Sequence, residues 1–276
     1  MLVVMTLLVR NEEDIIEANL EFHLARGVDR VIVTDNLSDD GTRDMLVPYE
    51  REGSALVIEE TSDDFSQAVW VTRMARMAHD LGADWVINND ADEFWWPECE
   101  DLKLYFSDVP PNVDVLIAHR DNFVPTNLAS DAFSERMVYR EAVSLNADGE
   151  PLPPKVAHRA HPTIDVAQGN HAATAHGLRP PTDLGSFRIL HFPVRSYQQF
   201  VRKVVAGGRA LERNTALPAS VGSTWRALHA IWQVGGLRAY YDHLLYDEAR
   251  IQAGLDDGDV HPDTRLRDWL RAHQAQ

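Results

Sequence analysis

The chain has 276 residues, 45% of them hydrophobic and 25% charged, with a net charge of −17 and a single cysteine. A chain of this length buries roughly 75% of its extended surface, enough for a sizeable core in one or two domains. The negative charge argues against nucleic acid or an anionic membrane as partner, since nothing would offset phosphate repulsion. The lone Cys99 excludes an intrachain disulfide and points to a reducing compartment, read as the cytoplasm.

Residues 2–9 form a continuous apolar run, too short to cross a bilayer and without signal-peptide flanks, so they read as a first strand covered on both faces. A helix is predicted over residues 12–25. Glu12, Glu13 and Asp14 open it where the dipole favours acids, Ile16, Leu20 and Leu24 repeat at spacing four, and Gly27 stops it. Residues 28–34 read as the second strand, 42–49 as a short helix and 55–59 as the third strand. The third helix follows over 65–81, with Trp70, Met74, Met77 and Leu81 on one stripe and Gly82 as its stop, and residues 85–89 are the fourth strand. Strands alternating with helices imply a parallel sheet with right-handed crossovers.

After Asp101 the regularity falls. Residues 113–119 and 137–143 read as strands, 148–154 and 179–183 as Pro/Gly-rich loops, 186–192 as a strand and 196–211 as a helix; 224–252 and 262–273 are mostly helical. One α/β domain over residues 1–211 with a helical C-terminal extension over 212–276 is the simplest division.

The fourth strand runs into Asp90-Ala91-Asp92-Glu93-Phe94. Strand alternation puts Asp90 and Asp92 on one side of the backbone, with Ala91 pointing away. Like charges so close repel, and residues 84–101 contain no Lys or Arg to neutralise them. A bound divalent ion is then simpler than separate ion pairs; hard oxygen ligands suit Mg²⁺ or Mn²⁺, which keep positions open for substrate phosphates. The bland alternative is a solvated strand end. Against it, ligands bind at the carboxyl ends of strands in open α/β sheets.

Val9-Arg10-Asn11-Glu12 after strand one, Asp35-Asn36-Leu37-Ser38-Asp39-Asp40-Gly41-Thr42 after strand two and Asp90-Ala91-Asp92-Glu93-Phe94 after strand four follow in order. Together they resemble the family-2-type glycosyltransferases of GT-A fold, above all the bacterial branch whose metal motif reads Asp-x-Asp-Glu-Phe. The resemblance covers about residues 3–97, with a weaker echo at Gly169-Asn170-His171 and at Leu190-His191-Phe192-Pro193 followed by Lys203; beyond about Leu211 it says little.

The resemblance implies a GT-A-like, Rossmann-like fold: a mixed, mainly parallel sheet flanked by helices. It implies a metal-dependent, inverting transfer of a sugar from a nucleoside diphosphate donor, of the UDP-sugar type, to a hydroxyl acceptor. By the same analogy Asp92 ligates Mn²⁺ or Mg²⁺ directly, Asp90 contacts the ribose or the metal through water, and Glu93 orients the sugar or a water. Asp35 binds uracil or ribose, Arg10 and Asn11 line the donor pocket, and Arg73 lies where related enzymes carry a basic residue beside the donor. His191 is the third metal ligand. Lys203, one of only three lysines and close in sequence to Arg195, Arg202 and Arg209, is a candidate diphosphate clamp.

The acidic base that the family places before its C-terminal histidine has no clean counterpart. Asp165, His171 and Asp183 are candidates, and His171 is preferred because an imidazole of near-neutral pKa takes a proton at physiological pH. Asn36 and Ser38 serve equally well as turn residues, and Arg73 and Lys203 as surface charges. Neither a Gly-x-Gly-x-x-Gly nor a P-loop occurs. A haloacid-dehalogenase-like phosphatase would carry Asp-x-Asp after its first strand, and a sugar nucleotidyltransferase a Gly-rich loop there. A non-catalytic nucleotide-sugar binding module is the alternative of a different class. Sugar, acceptor and oligomeric state are not specified by the sequence.

Overall fold

The computed structural model describes residues 1–146, 149–185, 187–218 and 221–274, with side chains to 273. Asp148 of the expected 148–154 loop, Ser186 of the expected 186–192 strand, and residues 219, 220, 275 and 276 of the expected extension lie outside the described residues. The chain forms two compact units, one of residues 1–61, 66–120 and 152–190, the other of residues 62–65, 121–151 and 191–276. The expected boundary at 211/212 falls inside the second unit.

In chain order the elements are β1 (Val3–Val9), α1 (Ile16–Ala25), β2 (Arg30–Asn36), α2 (Thr42–Glu52), β3 (Ala55–Glu60), α3 (Gln67–Asp80), β4 (Trp85–Asp90), β5 (Glu93–Pro97), α4 (Leu102–Asp108), β6 (Val115–Asn122), α5 (Phe133–Arg136) and β7 (Tyr139–Glu141). There follow β8 (Lys155–Arg159), β9 (Asp165–Val166), β10 (Ala173–Thr174), β11 (Phe187–His191), α6 (Tyr197–Arg213), α7 (Ser223–Gln233), α8 (Leu237–Leu244), α9 (Glu248–Asp257), β12 (Val260–Pro262) and α10 (Arg265–Gln274). No helix of the described residues is long and apolar enough to cross a membrane.

Among the described residues the main sheet has eight strands in the order β3-β2-β1-β4-β8-β6-β11-β5. The pairs β3–β2, β2–β1 and β1–β4 are parallel, and β8 is antiparallel to both β4 and β6. Only Ala91 and Asp92 separate β4 from β5, yet β5 lies at the far edge, four places away. Four strand spacings in a flat sheet are about 19 Å, whereas the chain from residue 90 to 93 reaches only about 10 Å. The sheet must therefore curl, bringing the β5 edge back toward the end of β4.

β1 is buried along nearly its whole length, as its unbroken apolar run requires. Val71, Met74, Ala75 and Ala78 of α3 pack on Val4, Ile32, Val86, Val115 and Val156 of the sheet. The stripe is offset from the one expected: Leu81 is exposed, and the small Ala75 and Ala78 take the sheet-facing places, where little side-chain bulk separates helix from strands. α1 begins at Ile16 rather than at residue 12. The acids precede it, and the Glu12 carbonyl accepts the N–H groups of Ile15 and Ile16. β5, α4 and β8 had no counterpart among the expected elements.

In the second unit α6, α7 and α8 enclose Phe200, Val204, Leu228, Leu237 and Tyr241. Ser196 caps α6 by accepting the Gln199 N–H, and Gly208 lets α6 approach the His229 side chain, since a Cβ there would collide with it. β7 and β12 pair antiparallel.

Two fully buried histidines make the first unit acid-sensitive. Burial lowers His23 to about 3 and His158 to about 4, so both are neutral in the fold. The unfolded chain binds protons on both below about pH 6.5, and stability is lost as pH falls from there toward the folded values. The urea midpoint should drop between about pH 7 and about pH 5, with a shallower slope for His158→Gln. A midpoint that does not move over that interval would contradict the burial of neutral imidazoles.

Candidate functional site

Chain order takes β1 to β2 to β3 on one side, and β4 then returns to the other side of β1. This is a topological switch point, where ligands of open α/β sheets bind beyond the carboxyl ends of the strands. Asp35 is paired in register with Val9, and Asp90 with Leu8. Asp35 and Asp90 therefore flank the end of β1 with their backbones two strand spacings or about 10 Å apart, and, because their partners Val9 and Leu8 are consecutive, on opposite faces of the sheet.

The loops after β1 and β2 are stitched together. Asn11 adopts a left-handed backbone, φ 58°, which asparagine tolerates. Its N–H donates to Ser38 Oγ at 3.0 Å, and its Oδ1 accepts the Asp39 N–H at 2.8 Å. The Ser38 N–H donates to Asp35 Oδ1 at 3.2 Å, and the Glu12 N–H to Thr42 Oγ1 at 2.8 Å. Asn11 and Ser38 thus act on the loop itself, while Asp35 is held, nearly buried, at the strand end. Arg10 is half-buried beside them. Arg73 on α3 pairs with Glu60 at 3.2 Å, and the Asn36 side chain donates to the Glu60 carbonyl at 3.1 Å.

Ala91 and Asp92 form a tight turn between β4 and β5, so the strand alternation expected for Asp90 and Asp92 does not apply. Asn19 of α1 clamps that turn. Its Nδ2 donates to the carbonyls of Ala91 and Glu93, each at 2.9 Å. The Trp95 N–H donates to His23 Nε2 at 3.2 Å, so His23 Nδ1 carries the proton and donates to the Asn19 carbonyl at 2.8 Å. The Trp95 indole N–H donates to Asn89 Oδ1 at 2.9 Å.

The turn also has cations, which the local sequence lacks. The antiparallel register from Trp85–Arg159 to Ile87–Ala157 carries Lys155 to the carboxyl end of β4. Its ammonium donates to Asp90 Oδ2 and lies 3.2 Å from Glu93 Oε1, an ion pair without hydrogen-bond alignment. Arg120 stands 3.6 Å from the same oxygen. Asp90 Oδ1 accepts from Asn170 Nδ2 at 3.0 Å and Gln67 Nε2 at 3.5 Å. Burial raises Glu93 to about 7 against the pull of Lys155. Burial alone would depress Lys155, but Asp90 and Glu93 outweigh it and its pKa rises, so the ammonium stays charged.

The premise for a metal at this turn, carboxylates without cations, is therefore corrected. Among the described residues no group of three or more His, Cys, Asp or Glu side chains is placed to hold a metal ion. With both Asp90 oxygens hydrogen-bonded and an ammonium on one of them, the turn does not fit a divalent site of its own.

His171 is half-buried, with Nδ1 donating to the Pro154 carbonyl at 2.9 Å and its ring against Gly169, where a Cβ would meet Nε2 at 2.6 Å. Burial first, then Lys155, lowers its pKa to about 4, which corrects the expectation of a near-neutral imidazole. Asp165 is exposed and paired with Arg76 at 2.6 Å; Asp183 accepts from His119 at 2.8 Å, which holds it below the usual carboxylate range.

His191 and Lys203 belong to the second unit. His191 Nδ1 lies 2.6 Å from Asn122 Oδ1, and the Asn122 amide also hydrogen-bonds Glu141, which fixes its orientation. His191 Nδ1 therefore donates to Asn122 Oδ1. Lys203 Nζ is 5.9 Å from the Trp225 ring centroid, Arg209 lies over Trp232, and the buried Arg195 donates to the Phe192 carbonyl. Lys155, Arg120, Asn19, His23 and Asn89 received no role in the sequence reading. The one local signal was the Asn19–His23 pair at spacing four on the buried side of α1.

Comparison with family models and with curated proteins gives no match. Among solved structures, residues 1–349 of S. aureus TarS in complex with UDP-GlcNAc are similar at 15% identity, with 79% of this chain and 69% of that chain covered and a TM-score of 0.49. S. aureus TarS at greater length gives 14%, 80% and 45%, with a TM-score of 0.46, so this chain spans less than half of it. Glucosyl-3-phosphoglycerate synthase from Mycobacterium tuberculosis in complex with Mn²⁺, UDP and glucosyl-3-phosphoglycerate gives 16%, 58% and 57%, with a TM-score of 0.33.

Asn19→Ala should leave the buried Ala91 carbonyl unpaired and the Glu93 carbonyl with only its bond from Asn89 Nδ2 at 3.2 Å, destabilising the protein by about 1–3 kcal/mol, with faster amide exchange over residues 91–95. A loss within about 0.5 kcal/mol, the usual scatter of surface substitutions, would show that Asn19 does not hold the turn.

Proposed function

We propose that the first unit binds a nucleoside diphosphate sugar, with uridine as the nucleoside, and that the chain transfers the sugar to a hydroxyl acceptor. The carrying observation is the pair Asp35 and Asp90 on either side of β1, at the switch point of the sheet. Asp35 accepts hydrogen bonds from the base or ribose. Arg10, at the end of β1, meets the diphosphate, and the Asp90–Glu93 turn faces the sugar. Transfer breaks the bond from the anomeric carbon to the diphosphate oxygen and forms one to the acceptor oxygen, whose proton must leave. Negative charge gathers on the leaving diphosphate, and the positive charge of Arg10 stabilises it.

A second reading, donor binding without transfer, is favoured by one observation: His171, held near pKa 4, is a weak proton acceptor. Turnover decides between the two. Loss of donor with release of the nucleoside diphosphate supports transfer or hydrolysis, and intact donor after prolonged incubation supports binding alone.

Thermal-shift and calorimetric titration with UDP, UDP-sugars and other nucleotides tests the donor. Uridine nucleotides should raise the melting temperature, and Asp35→Ala should weaken them by about 1–3 kcal/mol, the cost of a lost buried hydrogen bond. If no nucleotide in the panel stabilises the protein, the reading is wrong.

A further inference from the structure

The buried polar cluster behind the β4–β5 turn brings together three carboxylates, from Asp90, Asp92 and Glu93, and two cations, from Lys155 and Arg120. Lys155 is 1% exposed and Glu93 fully buried. Neither touches solvent, so their effect on anything outside passes through Asp90, the partly exposed member. A lysine of this kind cannot step aside for another cation. Its backbone is in register with Ala118 of β6, β4 pairs the same strand on the other side, and its stem is enclosed.

We infer that Lys155 is an internal counter-ion that closes the Asp90–Asp92–Glu93 turn to free divalent cations, so that the ligand-free protein has no metal site there. An ion on Asp90 Oδ2 would stand at contact distance from the ammonium that already donates to that oxygen, with no water between them to screen the repulsion. Oδ1 is committed to Asn170 and Gln67. Lys155 also answers the charge that would draw a cation in, since its ammonium donates to Asp90 Oδ2 and lies 3.2 Å from Glu93 Oε1, with Arg120 3.6 Å from the same oxygen.

If Lys155 merely held β8 to β4, its loss would loosen the strands and metal affinity would stay absent or fall. If it excludes the metal, removing the charge while keeping the stem opens a site. Asp90 Oδ2 and Glu93 Oε1, which share the ammonium on either side of a two-residue turn, then face the space it leaves, and they are hard oxygen donors of the kind Mg²⁺ and Mn²⁺ take alongside water.

The experiment uses the full chain without nucleotide and reads Mn²⁺ binding directly, from the electron paramagnetic resonance signal of the free ion and from water-proton relaxation. Wild-type protein should leave Mn²⁺ free at the turn. Lys155→Met should bind it at least about tenfold more tightly, Lys155→Arg should behave as wild type, and Asp90→Asn in the Lys155→Met background should abolish the gain. Circular dichroism confirms that each variant is folded. If Lys155→Met does not fold, wild type alone remains decisive: Mn²⁺ bound by the ligand-free protein and released by Asp90→Asn or Asp92→Asn overturns the inference. So does a folded Lys155→Met with no gain. No nucleotide is involved, so a failure here is separate from a failure of the donor reading.

Discussion

The arrangement at the carboxyl end of the sheet depends on one buried ammonium. Without Lys155, Glu93 would be a carboxyl group sealed in the interior beside two further acids; removing one partner of such a pair costs about 3–5 kcal/mol in measured cases, because the other charge is left unpaired. With it, Asp90 is fixed through both oxygens and the turn into β5 keeps one shape. Asn19 does for the turn's carbonyls what Lys155 does for its carboxylates, and His23 keeps Asn19 in place from one helical turn away. The acidic turn is a rigid part of the core that exposes one edge, not a flexible strand end.

Rigidity at this point and at the neighbouring loops has a common origin. The loops after β1 and β2 are joined by Asn11, Ser38 and Asp35, so polar side chains that a motif reading assigns to a ligand first hold one another. Such preorganisation lowers the ordering cost of binding, since few side chains remain to be immobilised when a ligand arrives.

Much of this was legible in the sequence where local rules operate. β1 to β4 and the helices between them follow from apolar runs, helical stripes and terminal glycines such as Gly27 and Gly82. What escaped is non-local. β8 carries Lys155, His158 and Arg159 after a run of prolines, and its strand character comes from insertion between β4 and β6. The cation for Asp90 therefore could not be found among residues 84–101. Alternation misplaced Asp92 because the chain turns immediately after Asp90. The basicity of His171 depends on enclosure and on Lys155, and neither is written in Gly169-Asn170-His171.

The same long-range pairing sets an order of assembly. Lys155 lies 65 residues beyond Asp90, so a chain emerging from its amino end completes β1 to β4 well before the ammonium exists to accompany them inward. Until then the three acids are best kept in water, and β5 has no edge strand β11 to join. The parallel half of the sheet can form early. Its curl back toward β5 waits for β8 and then for β11, so the docking of one five-residue strand, β8, brings the counter-ion to the acidic turn, and β11 completes the sheet.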